Sequence, residues 1–281
     1  MKFPKISVLL TTYRQPETLV LTLRDLGIQD YPADAWELVM VDDGSRDCSA
    51  QAAMMMLSED FTITVKHLPI GGTYAHAVLF NELLRLASPR SDVFVHLEDV
   101  RIRPNFLIQH AKWHRTKSLF LVTGPMCEGN VETFEPSACS RWALMQMSGV
   151  ASQAYRCCFQ AVFAKSMSYS RVLLDHLRES GDNEPFDSSM IGWGYHEIEF
   201  AFRAERAGAT CVYDIGCAVY HPTHNVRDEL CYRGINRAQA RSEGMVRNVE
   251  YICKKHGLVR LPEWRVGEPL ETPPMDFRES M

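Results

Sequence analysis

Short apolar runs that stop at polar clusters, each followed by a helical pattern, constrain this chain more than any other feature. Residues 6–11 read ISVLLT and lead into Thr12, Tyr13 and Arg14. Residues 36–41 read WELVMV and stop at Asp42-Asp43-Gly44-Ser45. Residues 93–97, VFVHL, end at the adjacent carboxylates Glu98 and Asp99, with Arg101, Arg103 and Pro104 just beyond. Runs this short, rich in Val, Leu and Phe and bounded by turn residues, are read as buried strands of a parallel sheet.

The segments between the runs have helical spacing. Pro16 opens a pattern through Leu19, Leu23 and Leu26 that Tyr31-Pro32 breaks. Ser45 or Asp47 caps a second helix to about residue 58. Residues 61–67 alternate as a strand, Gly71-Gly72 turns, and residues 73–87 are helical again. This order predicts right-handed crossovers and a parallel sheet with helices on both faces.

Further along, a helix is expected from Pro104 to about residue 117, and an apolar run over 119–123. Residues 124–154 read as a loop, and a helix is expected around 172–177. Residues 181–189 are turn-rich, and residues 195–207 form a helix ended by Gly208. One or two strands fall in 210–221, a long helix in 235–256, and a proline-bearing tail in 261–281. The expected organisation is one domain over 1–235, with a nucleotide-binding half (1–105) and an acceptor half (106–235). A C-terminal helix and tail (236–281) follow.

Composition excludes some classes of function. The formal net charge of −5 over 281 residues lacks the basic footprint of a nucleic-acid binder. Nine cysteines with no CxxC pair read as reduced, mostly buried thiols. The first residues enter a strand pattern at once, unlike a secretory signal. No run approaches the ~18 apolar residues of a spanning helix. A soluble, cytoplasmic protein is the expectation.

In a parallel sheet the ends of these strands share one rim, and ligands bind outside such carboxyl ends. Four polar clusters would meet there: residues 11–14, 42–45, 98–99 and 221–224. Taken singly, Asp42-Asp43 reads more readily as turn chemistry and His221 as a satisfied histidine; together the four clusters are harder to attribute to surface decoration.

ISVLLTTYR followed by ELVMVDDGSRD resembles the opening of family 2 glycosyltransferases of the GT-A (Rossmann-like) fold. FDSSMIGWGYHEIEFAFRAERAG is similar to the FD…GWG-ED-E…R…G segment of the galactosyl- and hexosaminyl-transferring branch. The resemblance spans roughly residues 5–224 and implies a mostly parallel α/β sheet. It implies an inverting enzyme that moves a sugar from a nucleotide-diphosphate donor, UDP-linked, to a saccharide or other hydroxyl-bearing acceptor.

By that resemblance Thr11 and Tyr13 contact the base, and Asp43 accepts the uracil N3–H. Glu98 and Asp99 stand in the place of the DxD motif, in which the first acid touches the ribose and the last binds a divalent cation. Counted from Leu97, the last position is Val100, a departure from the family pattern. Asp99 with His221 would then hold Mn²⁺ or Mg²⁺; alternatively Arg101 or Arg103 neutralises the leaving diphosphate. Trp193 and His196 fall on the acceptor side, and Glu197 matches the general base, with His196 replacing the preceding glutamate. Asn81 matches a donor-side asparagine, Arg14 lies near the phosphates or in solvent, and His76 is a further candidate. Val100 and His196 leave open a second reading, a catalytically impaired homologue that binds nucleotide sugar or a partner. A nucleotidyltransferase would need a glycine-rich loop after the first strand, where this chain has Thr11-Thr12-Tyr13-Arg14.

Overall fold

The first two apolar runs pair as expected. In the computed structural model, β1 (Ile6–Thr12) and β2 (Trp36–Asp42) are parallel, with Thr12 opposite Asp42. β3 (Thr62–His67) continues the sheet beyond β2, and β4 (Val93–Leu97) pairs with β1, Leu10 facing Leu97. The structure describes residues 3–45, 62–68, 75–98, 100–115, 119–130, 135–138, 153–181, 184–221, 237–263 and 266–273. The helix expected to run to about residue 58, the Gly71-Gly72 turn and Asp99 lie outside them.

Period-two alternation divides these strands between two cores. Leu9, Val39, Val41 and Phe94 belong to one cluster, which includes Leu79, Phe80 and Leu83 of α2 (His76–Leu86). Val8, Leu10, Leu38, Met40, Val93 and Val95 belong to the other, with Leu19, Leu23 and Leu26 of α1 (Pro16–Leu26). The helix after Pro104 is shorter than expected: α3 (Phe106–Ala111) passes into a 3-10 turn at Lys112–His114.

The second half of the main sheet is mixed. β10 (Met167–Ser170) runs antiparallel between β4 and β6 (Phe120–Thr123). β11 (Thr210–Asp214) pairs parallel to β6 and antiparallel to β9 (Ala154–Cys157). The tail adds the last strand, β13 (Val266–Leu270), antiparallel to β9. Residues beyond 236 therefore contribute to the same nine-stranded sheet as the first strands. α4 (Arg171–Glu179) and α5 (His196–Arg206) supply Leu173, Leu177, Ile198 and Phe200 to the α2 face.

One expectation about the rim changes. β12 (Val219–His221) leaves the main sheet for a four-stranded one, in the order β5 (Arg101–Ile102), β12, β7 (Met126–Asn130), β8 (Glu135–Ala138). Part of the segment read as a loop is thus β-structure, its pairing set by strands distant in sequence. Buried polar groups tie the second half of the chain together: Lys112 and Trp113 Nε1 both reach Asp214 at 2.7 Å. Among the described residues no helix is long and apolar enough to cross a membrane.

Candidate active site

The rim is stitched where β1 and β2 end. The Asp43 amide donates to Thr12 O at 3.0 Å, extending the ladder one residue past β2. The Arg14 amide donates to Ser45 Oγ at 2.8 Å, and the Ser45 amide to Asp42 Oδ1 at 3.1 Å. Arg14 holds a left-handed φ of 48°, and its guanidinium lies 5.2 Å from the centre of the Tyr13 ring. Asp42 pairs with His67 at 2.9 Å, so the first aspartate of the pair is structural.

Alternation, carried one residue past β2 and β4, puts Thr11, Asp43 and Glu98 on the α2 face of the sheet, in line with Leu9, Val41 and His96. Asp43 is 7% exposed, and its Oδ1 is buried without a hydrogen bond from any described residue. Burial, then the charge of Asp42, pushes its carboxyl up to about 7. An unsatisfied acceptor at a ligand-facing rim is matched to an incoming N–H.

Glu98 pairs with Lys165 at 2.9 Å. Lys165 sits in a 3-10 turn, Ala164–Ser166, just before β10, and the antiparallel register (Met167 opposite His96) brings that turn to the carboxyl end of β4. Sequence reasoning missed Lys165 because no local motif marks it.

The expected metal position reads differently in three dimensions. Val100 is fully buried in the α1-side core, so its side chain belongs to that core rather than to the rim. Arg101, the alternative cation, is bidentate to buried Asp25 of α1 at 2.5 and 2.8 Å, a structural fork. Arg103 lies over Tyr220, 5.6 Å from the ring centre. His221 ends β12, whose Tyr220 faces Arg101, so the imidazole-bearing residue comes next to Val100. That placement and an imidazole's chemistry suit one ligand of Mn²⁺. Among the described residues no group of three His, Cys, Asp or Glu side chains gathers to hold a metal, and Asp99 lies outside them.

The acceptor-side motif forms a loop held from two sides. Asn81 of α2 accepts from the Phe186 amide at 3.0 Å and donates to Phe186 O at 2.7 Å, so this asparagine braces the FD motif and is not a donor contact. Phe186 stacks on Phe200 at 4.8 Å. Gly192 and Gly194 have φ of 88° and 91°, and Tyr195 has a left-handed φ of 69° at the start of α5. Non-glycine residues rarely sit there, and among the described residues only Arg14 and Tyr195 do, one on each side of the candidate site.

His196 corrects the expectation of acceptor contact. It is 1% exposed, its Nε2 bonds Gly192 O at 2.8 Å, and its ring lies 5.6 Å from that of His76. Burial, then His76, lowers its pKa to about 4, so the ring is neutral and internal at physiological pH. This contact joins the starts of α2 and α5, so Glu197 lies in the first turn of a helix on the same sheet face as Asp43 and Glu98. Glu199 is buried and turned away, bound by Arg203 at 2.8 Å and Lys255 at 2.6 Å. Trp193 has Arg241 over its ring at 4.1 Å. Arg241 belongs to α6 (Arg237–His256), the C-terminal helix, which lies along this loop.

Comparison with known proteins fits this arrangement. Residues 7–90 match the family described as Glycosyl transferase family 2. The match spans less than a third of the chain. The matched segment runs from β1 to α2 and contains Thr11, Tyr13 and Asp43. The whole fold is similar to the mannosyltransferase PcManGT from Pyrobaculum calidifontis, solved with GDP-Man and Mn²⁺. Identity to it is 19% and the TM-score 0.63, over 89% of this chain and 65% of that one. S. aureus TarS gives 15% identity and a TM-score of 0.58 over 88% of this chain and 43% of that one. Its 1–349 fragment with UDP-GlcNAc gives 16% and 0.56, over 89% and 74%. The chain thus spans less than two thirds of the mannosyltransferase and less than half of full TarS. Curated proteins give no match. The fold is GT-A, a large mixed sheet flanked by helices.

Proposed function

We propose that the protein is an inverting glycosyltransferase that moves a sugar from a UDP-linked donor to the hydroxyl of a saccharide or other acceptor. One arrangement carries the reading: alternation puts Thr11, Asp43 and Glu98 on one sheet face at the rim, and α5, with Glu197 as its second residue, packs on that face. Asp43, an acidic acceptor without a donor, suits the uracil N3–H, and Tyr13 beside it supplies a ring for the base. Glu197 takes the acceptor proton. The acceptor oxygen then attacks the anomeric carbon opposite the diphosphate, and the bond to the diphosphate breaks with its electrons leaving on UDP. A second reading, a catalytically impaired homologue, rests on Val100 and His196, both interior residues that lack the acidic groups the resemblance expects there; UDP release from a donor separates the two readings.

Lys165 is assigned to the diphosphate: its ammonium is already at the end of β4, held by Glu98. Lys165→Met is expected to weaken UDP binding about tenfold while uridine binding is unchanged. Equal losses for UDP and uridine, measured by calorimetry, would mean a structural role only. A divalent cation would be held by Asp99 and His221 and would supply further positive charge to the diphosphate.

The test is UDP release from a panel of UDP- and GDP-sugars with Mn²⁺, with and without acceptor sugars. No nucleotide binding and no release with any donor would end the glycosyl-transfer reading. With an active donor in hand, full chelation is expected to cut turnover at least about tenfold and Mn²⁺ to restore it. Turnover that survives chelation removes Asp99 and His221 as ligands and leaves the diphosphate to Lys165.

A further inference from the structure

We propose that the C-terminal helix α6 is the positioning element of the acceptor loop, acting through Gly244 and Asn248. The inference deepens the glycosyl-transfer reading, and its kinetic arm rests on it. Gly244, Asn248 and Ile252 recur at helical spacing along the buried stripe of α6. Asn248 is 1% exposed and donates from Nδ2 to Gly194 O at 2.8 Å. At Gly244 the helix touches the loop backbone itself: a Cβ there would lie 2.6 Å from Trp193 N and 2.9 Å from Trp193 O. Only glycine permits that approach, so backbone packs on backbone at Trp193, the residue that the resemblance puts on the acceptor side.

The loop needs an outside support. Gly192, Gly194 and Tyr195 all hold left-handed φ values, and the helical ladder of α5 begins only with the Glu199 amide bonding Tyr195 O. Left-handed backbone at a non-glycine residue persists where surrounding structure over-determines it. α6 supplies that determination at Trp193 and Gly194, and Lys255 extends it by bridging Asp187 and Glu199 at 2.7 and 2.6 Å. Glu197 lies between these anchor points in sequence, so its carboxylate inherits its position from them. A displacement of about 1 Å in such a group costs on the order of 10²-fold in rate.

The experiment compares Gly244→Ala, Asn248→Ala and the exposed control Glu250→Ala in the full chain. Each is measured for UDP affinity and stoichiometry, turnover per UDP-binding molecule, and backbone hydrogen exchange. For the first two, turnover per binding molecule is expected to fall at least about tenfold, with donor KM and UDP affinity within about twofold of wild type. Exchange is expected to accelerate in residues 190–196 and to stay unchanged in β1 and β2. Glu250→Ala should match wild type in every readout. Unchanged exchange in residues 190–196 overturns the positioning role, whether or not a donor has been found. Turnover per binding molecule unchanged in both variants overturns its catalytic consequence. A wild-type protein that binds no nucleotide defeats the glycosyl-transfer reading alone, because the exchange arm still reports on α6.

Discussion

Glu197→Gln is expected to lower turnover by about 10²–10⁴-fold while UDP binds as in wild type, the usual worth of a positioned general base. The substitution keeps shape and removes only the ability to take a proton. Its neighbours isolate the effect. Glu199 carries the ion pairs to Arg203 and Lys255, and Phe200 anchors the helix in the aromatic core, so α5 keeps its place without the Glu197 charge. The nucleotide contacts proposed above lie at the ends of β1, β2 and β4, which the substitution does not touch. Steady-state kinetics and UDP calorimetry on the same preparation check this. Unaltered turnover places the base elsewhere; joint loss of turnover and UDP affinity means that the loop, not the proton transfer, was disturbed.

Asp43→Ala is expected to weaken UDP binding by about 10–100-fold, because a hydrogen bond to a charged acceptor is worth about 1.5–3 kcal/mol. The same carboxyl makes binding depend on pH. Its pKa in the fold is about 7, raised first by burial and then by Asp42. As pH falls below that value the carboxylate is protonated, and UDP affinity drops by up to about tenfold per pH unit. Ionisation of UDP itself cancels when wild type and Asp43→Asn are compared, and the variant should lack this slope. Stability moves in the opposite sense. A folded-state pKa above the ordinary carboxylate range favours folding of the protonated form. That contribution is full below about pH 4 and is lost as pH rises through about 7. Asp43→Asn should therefore be more stable than wild type at pH 8 by about 1–2 kcal/mol, the partly wet rim reducing the full effect, and the gain should vanish near pH 4. Parallel pH profiles of wild type and variant would show that Asp43 does not meet the base.

The two substitutions probe opposite walls of the candidate site, and the walls differ in how visible they were before folding. The places of Asp43 and Glu98 were legible because each stands one residue past a short strand, and period-two alternation then states which face they occupy. The place of Glu197 at a helix start was legible because the GWG segment and the helix after it are contiguous. The directions of His196, Asn81 and Arg101, and the burial of Val100, were not legible because side-chain direction depends on what packs from far along the chain. Val100 falls on the α1 face, His196 meets His76, Asn81 reaches Phe186, and Arg101 forks onto Asp25. Lys165 was invisible for the same reason: only the antiparallel insertion of β10 beside β4 carries it to Glu98.

By itself the amino-acid order determined the strand–helix succession, the parallel first half and the polar residues at its strand ends, because alternation and helical spacing are local properties of the chain. The tertiary structure alone decided that β12 joins a second sheet, that the tail supplies β13, and that α6 holds the acceptor loop. Those outcomes depend on contacts between segments far apart in the chain, whose loop-closure cost and burial gain no single stretch of sequence records.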